Sequence, residues 1–127
     1  MITKLNRLWK RLLDKKKIGS FEFRMKINAP ERKWNAYILY NSAMLAKKLN
    51  FNRISAIEYG VAKGRGLLIL EEYAEELKKL LGIQIDIYGF DRVKGLAKPK
   101  DYRDLPYQWR EGLFTMDEQI LRSKLKP

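Results

Sequence analysis

The chemistry this sequence offers is concentrated at five positions. Glu58, Gly60, Ala62 and Gly64 stand at two-residue steps in Glu58-Tyr59-Gly60-Val61-Ala62-Lys63-Gly64-Arg65-Gly66, and Asp91 closes the run Ile83-Gln84-Ile85-Asp86-Ile87-Tyr88-Gly89-Phe90. Small residues at such spacing let the chain turn sharply and let backbone approach a ligand, while a helix beginning just beyond offers free N–H donors. A carboxylate after the second strand can accept hydrogen bonds from both hydroxyls of a ribose. Strand, glycine turn, helix, strand and acid are the parts of a nucleoside-binding crevice. A glycine turn also serves simply to join strand to helix; the placement of Asp91 is what favours the ligand reading.

Other phosphate loops do not fit. A P-loop needs Lys followed by Ser or Thr after its last glycine, and here Gly66 is followed by Leu67. The dinucleotide pattern G-x-G-x-x-G fails because Gly64 and Gly66 are followed by Ile69 at the third glycine position. There is no cysteine and no histidine, which excludes disulfides, thiolate zinc sites, Cys nucleophiles and imidazole catalysis within this chain.

The elements that position these residues can be read from apolar patterning. Ile54-Ser55-Ala56-Ile57-Glu58-Tyr59 is a short run suited to a strand of a parallel sheet. A helix begins at Leu67-Leu68-Ile69-Leu70 and carries Tyr73, Ala74, Leu77, Leu80 and Leu81, with Glu75 and Lys79 as an i,i+4 pair and Gly82 as its C-cap. Ile83 to Phe90 is the second strand, with Asp86 on the face opposite Ile85 and Ile87. The expectation is a βαβ unit with parallel strands.

Taken together, the motifs resemble those of class I S-adenosylmethionine-dependent methyltransferases, in which an acid is followed by small residues at two-residue steps; Ala62 replaces the middle glycine. The loop is similar to the E-x-G-V-aromatic-basic-G-G-S loop of macrocin O-methyltransferase-like enzymes, and Tyr88-Gly89-Phe90-Asp91 followed by Gly95-Leu96 resembles their F-D-[ST]-F-x-G-L-P stretch. The resemblance covers roughly residues 53 to 100. It implies S-adenosylmethionine as cofactor, with Asp91 on the adenosyl ribose and Glu58, Gly60, Ala62 and Gly64 around the methionine part. It also implies methyl transfer to a small-molecule acceptor. Arg92 stands where the family has Ser or Thr, Lys94 where it often has an acid and Ala97 where it has Pro; the two cations are placed to pair with Asp91. The family's later strands, metal-binding carboxylates and catalytic residues have no counterpart before Pro127. The expected fold is therefore α/β: a Rossmann-like βαβ unit, an incomplete parallel sheet, with an N-terminal helical extension. Residues 1–50 form the basic extension, and residues 51–127 form the front part of the S-adenosylmethionine-binding domain, as in a fragment or truncated enzyme. An open sheet edge predicts self-association.

Outside the motifs, Leu5, Leu8, Trp9, Leu12 and Leu13 make the first segment an amphipathic helix with a basic opposite face. Phe21 to Ile27 alternates apolar and polar residues, which predicts a short exposed strand or extended linker. Asn28-Ala29-Pro30 opens a second helix, ending near Asn50, with Trp34, Tyr37, Ile38, Met44, Leu45 and Leu49 as its stripe. Trp9 and Trp34 are expected in the core. Gly95 to Gly112 reads as a long irregular loop; its neighbourhood's Tyr102, Tyr107, Trp109 and Phe114 are expected to pack on the core, with a substrate pocket as the other use. Met116 to Lys124 reads as a last short helix with Ile120 and Leu121 as apolar positions.

The net charge of +12 is concentrated early: residues 1–33 hold eleven Lys or Arg against three acids. A nucleic-acid-binding module using this basic third is the alternative function, though no helix-turn-helix, RNA-recognition or zinc pattern accompanies it. A membrane-surface role for the first helix is a third possibility, and a solvated basic face is the plain one. No run approaches the ~18 to 20 apolar residues of a membrane span, and no secretory signal is evident, so a cytoplasmic location is expected.

Overall fold

The computed structural model describes residues 2–126, with side chains from Asn6 onward; Leu5 of the first apolar stripe lies outside those side chains. Helix α1 (Ile2–Lys15) ends in a turn where Lys17 and Gly19 take φ of 54° and 82°. Helix α2 (Phe21–Lys26) follows where alternation predicted extended backbone. Two causes decide for helix. Ser20 caps it, its Oγ accepting the N–H of Phe23 at 3.1 Å. Phe21 and Arg24, one turn apart, are its two buried residues, so tertiary burial overrides the local pattern.

Helix α3 (Lys33–Lys48) begins later than Pro30 and ends with Asn50 at φ 61°. Its buried face is Ala36, Leu39, Ala43 and Ala46, whereas the predicted stripe of Trp34, Tyr37, Ile38, Met44, Leu45 and Leu49 is the exposed face. Alanines let α3 lie close to its neighbour, and bulkier side chains at those positions would hold it away. Trp9 and Trp34, expected inside, are 59% and 67% exposed.

Strand β1 (Arg53–Tyr59), helix α4 (Arg65–Leu81) and strand β2 (Gln84–Phe90) form the βαβ unit, and the two strands pair in parallel from Arg53 with Gln84 to Tyr59 with Phe90. Gly82 ends α4 at φ 76°, its N–H returning to the carbonyl of Lys78. A residue with a Cβ is strained in that left-handed conformation, which explains a glycine here. The final helix α5 (Glu118–Lys124) is capped by Asp117, which accepts the N–H of Ile120 at 2.9 Å. Among the described residues, no helix is long and apolar enough to cross a membrane.

The main core joins α2, α3, α4 and the sheet, and a second, smaller cluster of Val61, Leu67 and Leu121 seats α5. Phe21 packs edge-on against Tyr73 and stacks on Tyr40, with ring centroids 5.6 and 5.7 Å apart. Leu77, Ile69, Ile83 and Ile85 continue the same cluster. Burying each large side chain contributes about 1.5–3 kcal/mol. Arg24, only 1% exposed, is tied at three points: Nε to Asp14 at 3.1 Å, Nη1 to the carbonyl of Gly19 at 2.7 Å, and Nη2 to Glu76. The Tyr73 hydroxyl donates to the second oxygen of Asp14 at 3.2 Å. Burial and the Asp14 carboxylate together push the Tyr73 phenol well above its ordinary range.

The sheet is covered on one face only. Ile54, Ala56, Ile85 and Ile87 pack with α3 and α4. On the other face Ile57, Tyr59, Tyr88 and Phe90 remain about half exposed or more. Asp86, on that face, pairs with Arg53 across the strands, Nε to Oδ2 at 2.6 Å.

Candidate functional site

Parallel pairing brings the ends of β1 and β2 to the same edge of the unit, so the turn after Tyr59 and the acid after Phe90 are neighbours. The ladder continues into the turn, with the Gly60 N–H donating to the Phe90 carbonyl at 2.9 Å. Gly60 has φ +83° with open space where a Cβ would project, so its backbone angle, not crowding, calls for glycine. Ala62 also lies in the left-handed region, at φ 48°, a conformation that costs an L-residue roughly 1–2 kcal/mol.

Asp91 holds the turn in place. Its Oδ2 accepts the N–H groups of Val61 at 2.7 Å and Ala62 at 2.9 Å, and its Oδ1 accepts that of Val93 at 2.7 Å. These donors, those of Ala62 and Val93 foremost, hold its carboxyl below the usual carboxylate range, so it is ionised at neutral pH. Arg92 and Lys94 do not neutralise it; its described partners are all backbone amides. A carboxylate has about four acceptor positions. Three are used among the described residues, and the backbone of Arg92 also helps to lower the pKa of the group.

Tyr59, Gly60, Ala62, Phe90, Asp91 and Phe114 line a cavity of about 320 Å³ at this edge, with Arg92, Gly95 and Leu96. Tyr59 and Phe90 stack with centroids 5.5 Å apart. Their positions at the paired ends of two strands were the available sequence signal for a second aromatic wall. The loop after Asp91 folds back on itself, Leu96 and Gly112 exchanging backbone bonds with Leu113 and Leu96 at 2.8 and 3.0 Å. Gly95 is needed there because a Cβ would meet the Leu113 carbonyl oxygen at 2.4 Å. The fold-back carries Phe114 to the cavity and sets it 5.9 Å from Trp109, whose ring lines an adjoining cavity of about 530 Å³. Tyr102 and Tyr107, expected to pack, are instead 80% and 83% exposed.

The five candidate residues do not all meet. Gly60, Ala62 and Asp91 share one cavity. Gly64, at φ +78°, is buried beneath α5, where a Cβ would lie 2.2 Å from Leu121. Glu58 points to the covered face and lines a different cavity of about 350 Å³ between β1 and α3, with Asn35, Ile38 and Ser42. Its carboxyl rests on the first turn of α4: a Cβ on Gly66 would fall 1.9 Å from Glu58 Oε1, so only glycine admits it. Glu58 Oε2 is buried without a hydrogen-bond partner among the described residues. Desolvation pushes this carboxyl up, against a smaller opposing pull from Arg32. No family model, curated protein or solved structure matches this chain.

Proposed function

We propose that the chain binds S-adenosylmethionine at the carboxyl ends of its two strands, as the front part of a Rossmann-like methyltransferase domain. The observation that carries this reading is the meeting of the Gly60 turn and Asp91 on adjacent parallel strands around one cavity. Ligands of open α/β sheets bind in the crevice outside the carboxyl ends of the strands. A volume of about 320 Å³ is at the small end of the range for ligand sites.

In this reading the Asp91 carboxylate accepts from a ribose hydroxyl, while Tyr59, Phe90 and Phe114 give flat apolar surface to a purine. Glu58 lines a different cavity, behind Gly66, and is set apart from the ligand. Gly60 and Ala62 keep side-chain bulk away from it. When bound, S-adenosylmethionine supplies an electrophilic methyl group; the residues described here bind and orient the donor. The acceptor is a small molecule, and its activation falls to groups other than these five.

Isothermal titration of the full chain with S-adenosylhomocysteine tests the proposal. Binding is expected for the wild type, with loss in Phe114→Ala, a variant whose half-exposed ring can be removed without opening the core. No heat from the wild type, with the folded state verified by circular dichroism, removes the proposal.

A further inference from the structure

Helix α1 is attached to the rest of the molecule by a narrow strip. Leu13 and Asp14 are its buried residues among those with described side chains. The apolar residues expected to cover the core do not: Leu8, Trp9 and Leu12 are 64%, 59% and 44% exposed. At about 100° of rotation per residue, Leu8, Leu12 and Trp9 occupy one arc of about 100°, and Lys15, Arg11 and Arg7 fill the arc beside it. The one acid of the helix, Asp14, faces inward and is consumed by Arg24 and Tyr73. Glu31 and Glu72 line a cavity with Arg11 and Lys15 and offset that charge only in part.

A wet Leu/Trp arc bordered by an excess of cations has a specific complement. A second copy of α1 would cover the apolar arc but set Arg7, Arg11 and Lys15 against their equivalents. A nucleic acid would meet the cations and leave the apolar arc in water. An anionic bilayer surface satisfies both, taking the apolar arc into the headgroup–acyl boundary while the long cationic side chains reach the lipid phosphates. We propose that α1 is a membrane-surface anchor that lays the protein on anionic lipid. This inference is independent of what the sheet edge binds.

The test uses the full chain in a Trp34→Phe/Trp109→Phe background, which leaves Trp9 as the remaining one of three tryptophans. Cosedimentation and a blue shift of Trp9 emission are expected with mixed phosphatidylglycerol–phosphatidylcholine vesicles, and neither with phosphatidylcholine alone. Added salt weakens the binding. Replacing Arg7, Arg11 and Lys15 by Gln lowers the partition constant by about fivefold per cation removed. Leu8→Glu/Leu12→Glu abolishes binding while the thermal unfolding midpoint stays in place, since both side chains are exposed. Three results overturn the proposal: no cosedimentation of the folded wild type with anionic vesicles, binding that survives Leu8→Glu/Leu12→Glu, or binding to an oligonucleotide with none to vesicles.

Discussion

The carboxylate of Asp91 accepts the backbone N–H of Ala62 at 2.9 Å, so the acid after the second strand fastens the turn after the first. Two features that sequence pattern treats as separate contacts to a ligand are, in the folded chain, contacts to each other. Replacing Asp91 by Asn keeps an acceptor oxygen but turns an amide toward N–H donors. A loss of about 1–3 kcal/mol is expected in urea unfolding at neutral pH. The folded-state pKa of Asp91 is depressed, so its stabilisation is present above the unfolded value of about 3.9 and is lost as pH falls through the folded value. Unfolding midpoints of wild type and Asp91→Asn are therefore expected to converge in acid.

Glu58 has the opposite sign. Its pKa is raised by desolvation, so the charged form opposes folding at neutral pH. Glu58→Gln is expected to stabilise the chain by on the order of 1 kcal/mol at pH 7, with the gain vanishing below the ordinary glutamate pKa, where both states are protonated. The same variant is expected to leave S-adenosylhomocysteine binding unchanged, because Glu58 lines a different cavity from Asp91. Lost binding in a variant that keeps its fold would instead set Glu58 against the ligand.

At the turn itself, Ala62 and Gly64 invite opposite substitutions. Ala62→Gly relieves a left-handed alanine and is expected to gain about 0.5–1 kcal/mol after the greater chain entropy of glycine is deducted. Gly64→Ala meets both an unfavourable φ of +78° and Leu121 at 2.2 Å. A loss of about 2–4 kcal/mol is expected, from strain and displaced packing together. Urea titration of both variants measures the pair.

The buried guanidinium of Arg24 makes a sharper prediction. Arg24→Ala leaves buried Asp14 with only the Tyr73 hydroxyl and takes one of two cations from Glu76, for an expected cost of about 3–5 kcal/mol. Arg24→Met together with Asp14→Asn removes the charge pair while keeping most of the volume, and is expected to recover much of that loss in the same unfolding experiment.

Much of the βαβ unit was legible in the sequence because each boundary has a local cause. Ile54 to Tyr59 ends at a glycine whose φ permits the turn, and α4 ends at Gly82 in the left-handed conformation. Residues 21–49 were harder. The large apolar residues of α3 form a perfect-looking stripe, yet its alanines are what α4 accepts; the sequence rewards size, while packing rewards close approach. In α2, Phe21 and Arg24 share a face only if the segment is helical, and their partners on α4, Tyr73 and Glu76, each lie 52 residues further along. In the site, the positions of Gly60, Ala62 and Asp91 follow from the strand ends, whereas the fold-back that delivers Phe114 depends on bonds between Leu96 and Leu113 that leave no local pattern.

The unpaired strand edges lead to a concentration effect. Each strand of the two-stranded sheet has one neighbour among the described residues, and the groove along β2 is lined partly by charged Glu71, Lys78 and Lys126. Sedimentation velocity is expected to show reversible self-association as concentration rises. A single monomeric boundary throughout would show these edges to be sufficiently guarded.

Arg24 also decides how the chain can be divided. Its guanidinium bridges α1, the α1–α2 turn and α4, and Phe21 beside it fills space between Tyr40 and Tyr73. A clone trimmed to the strand-bearing stretch would not inherit a finished surface; it would present a socket moulded to a missing arginine and a bare aromatic flank. Calorimetry of the intact chain is accordingly expected to record one endotherm, with the basic leading helices and the glycine-turn unit melting as partners.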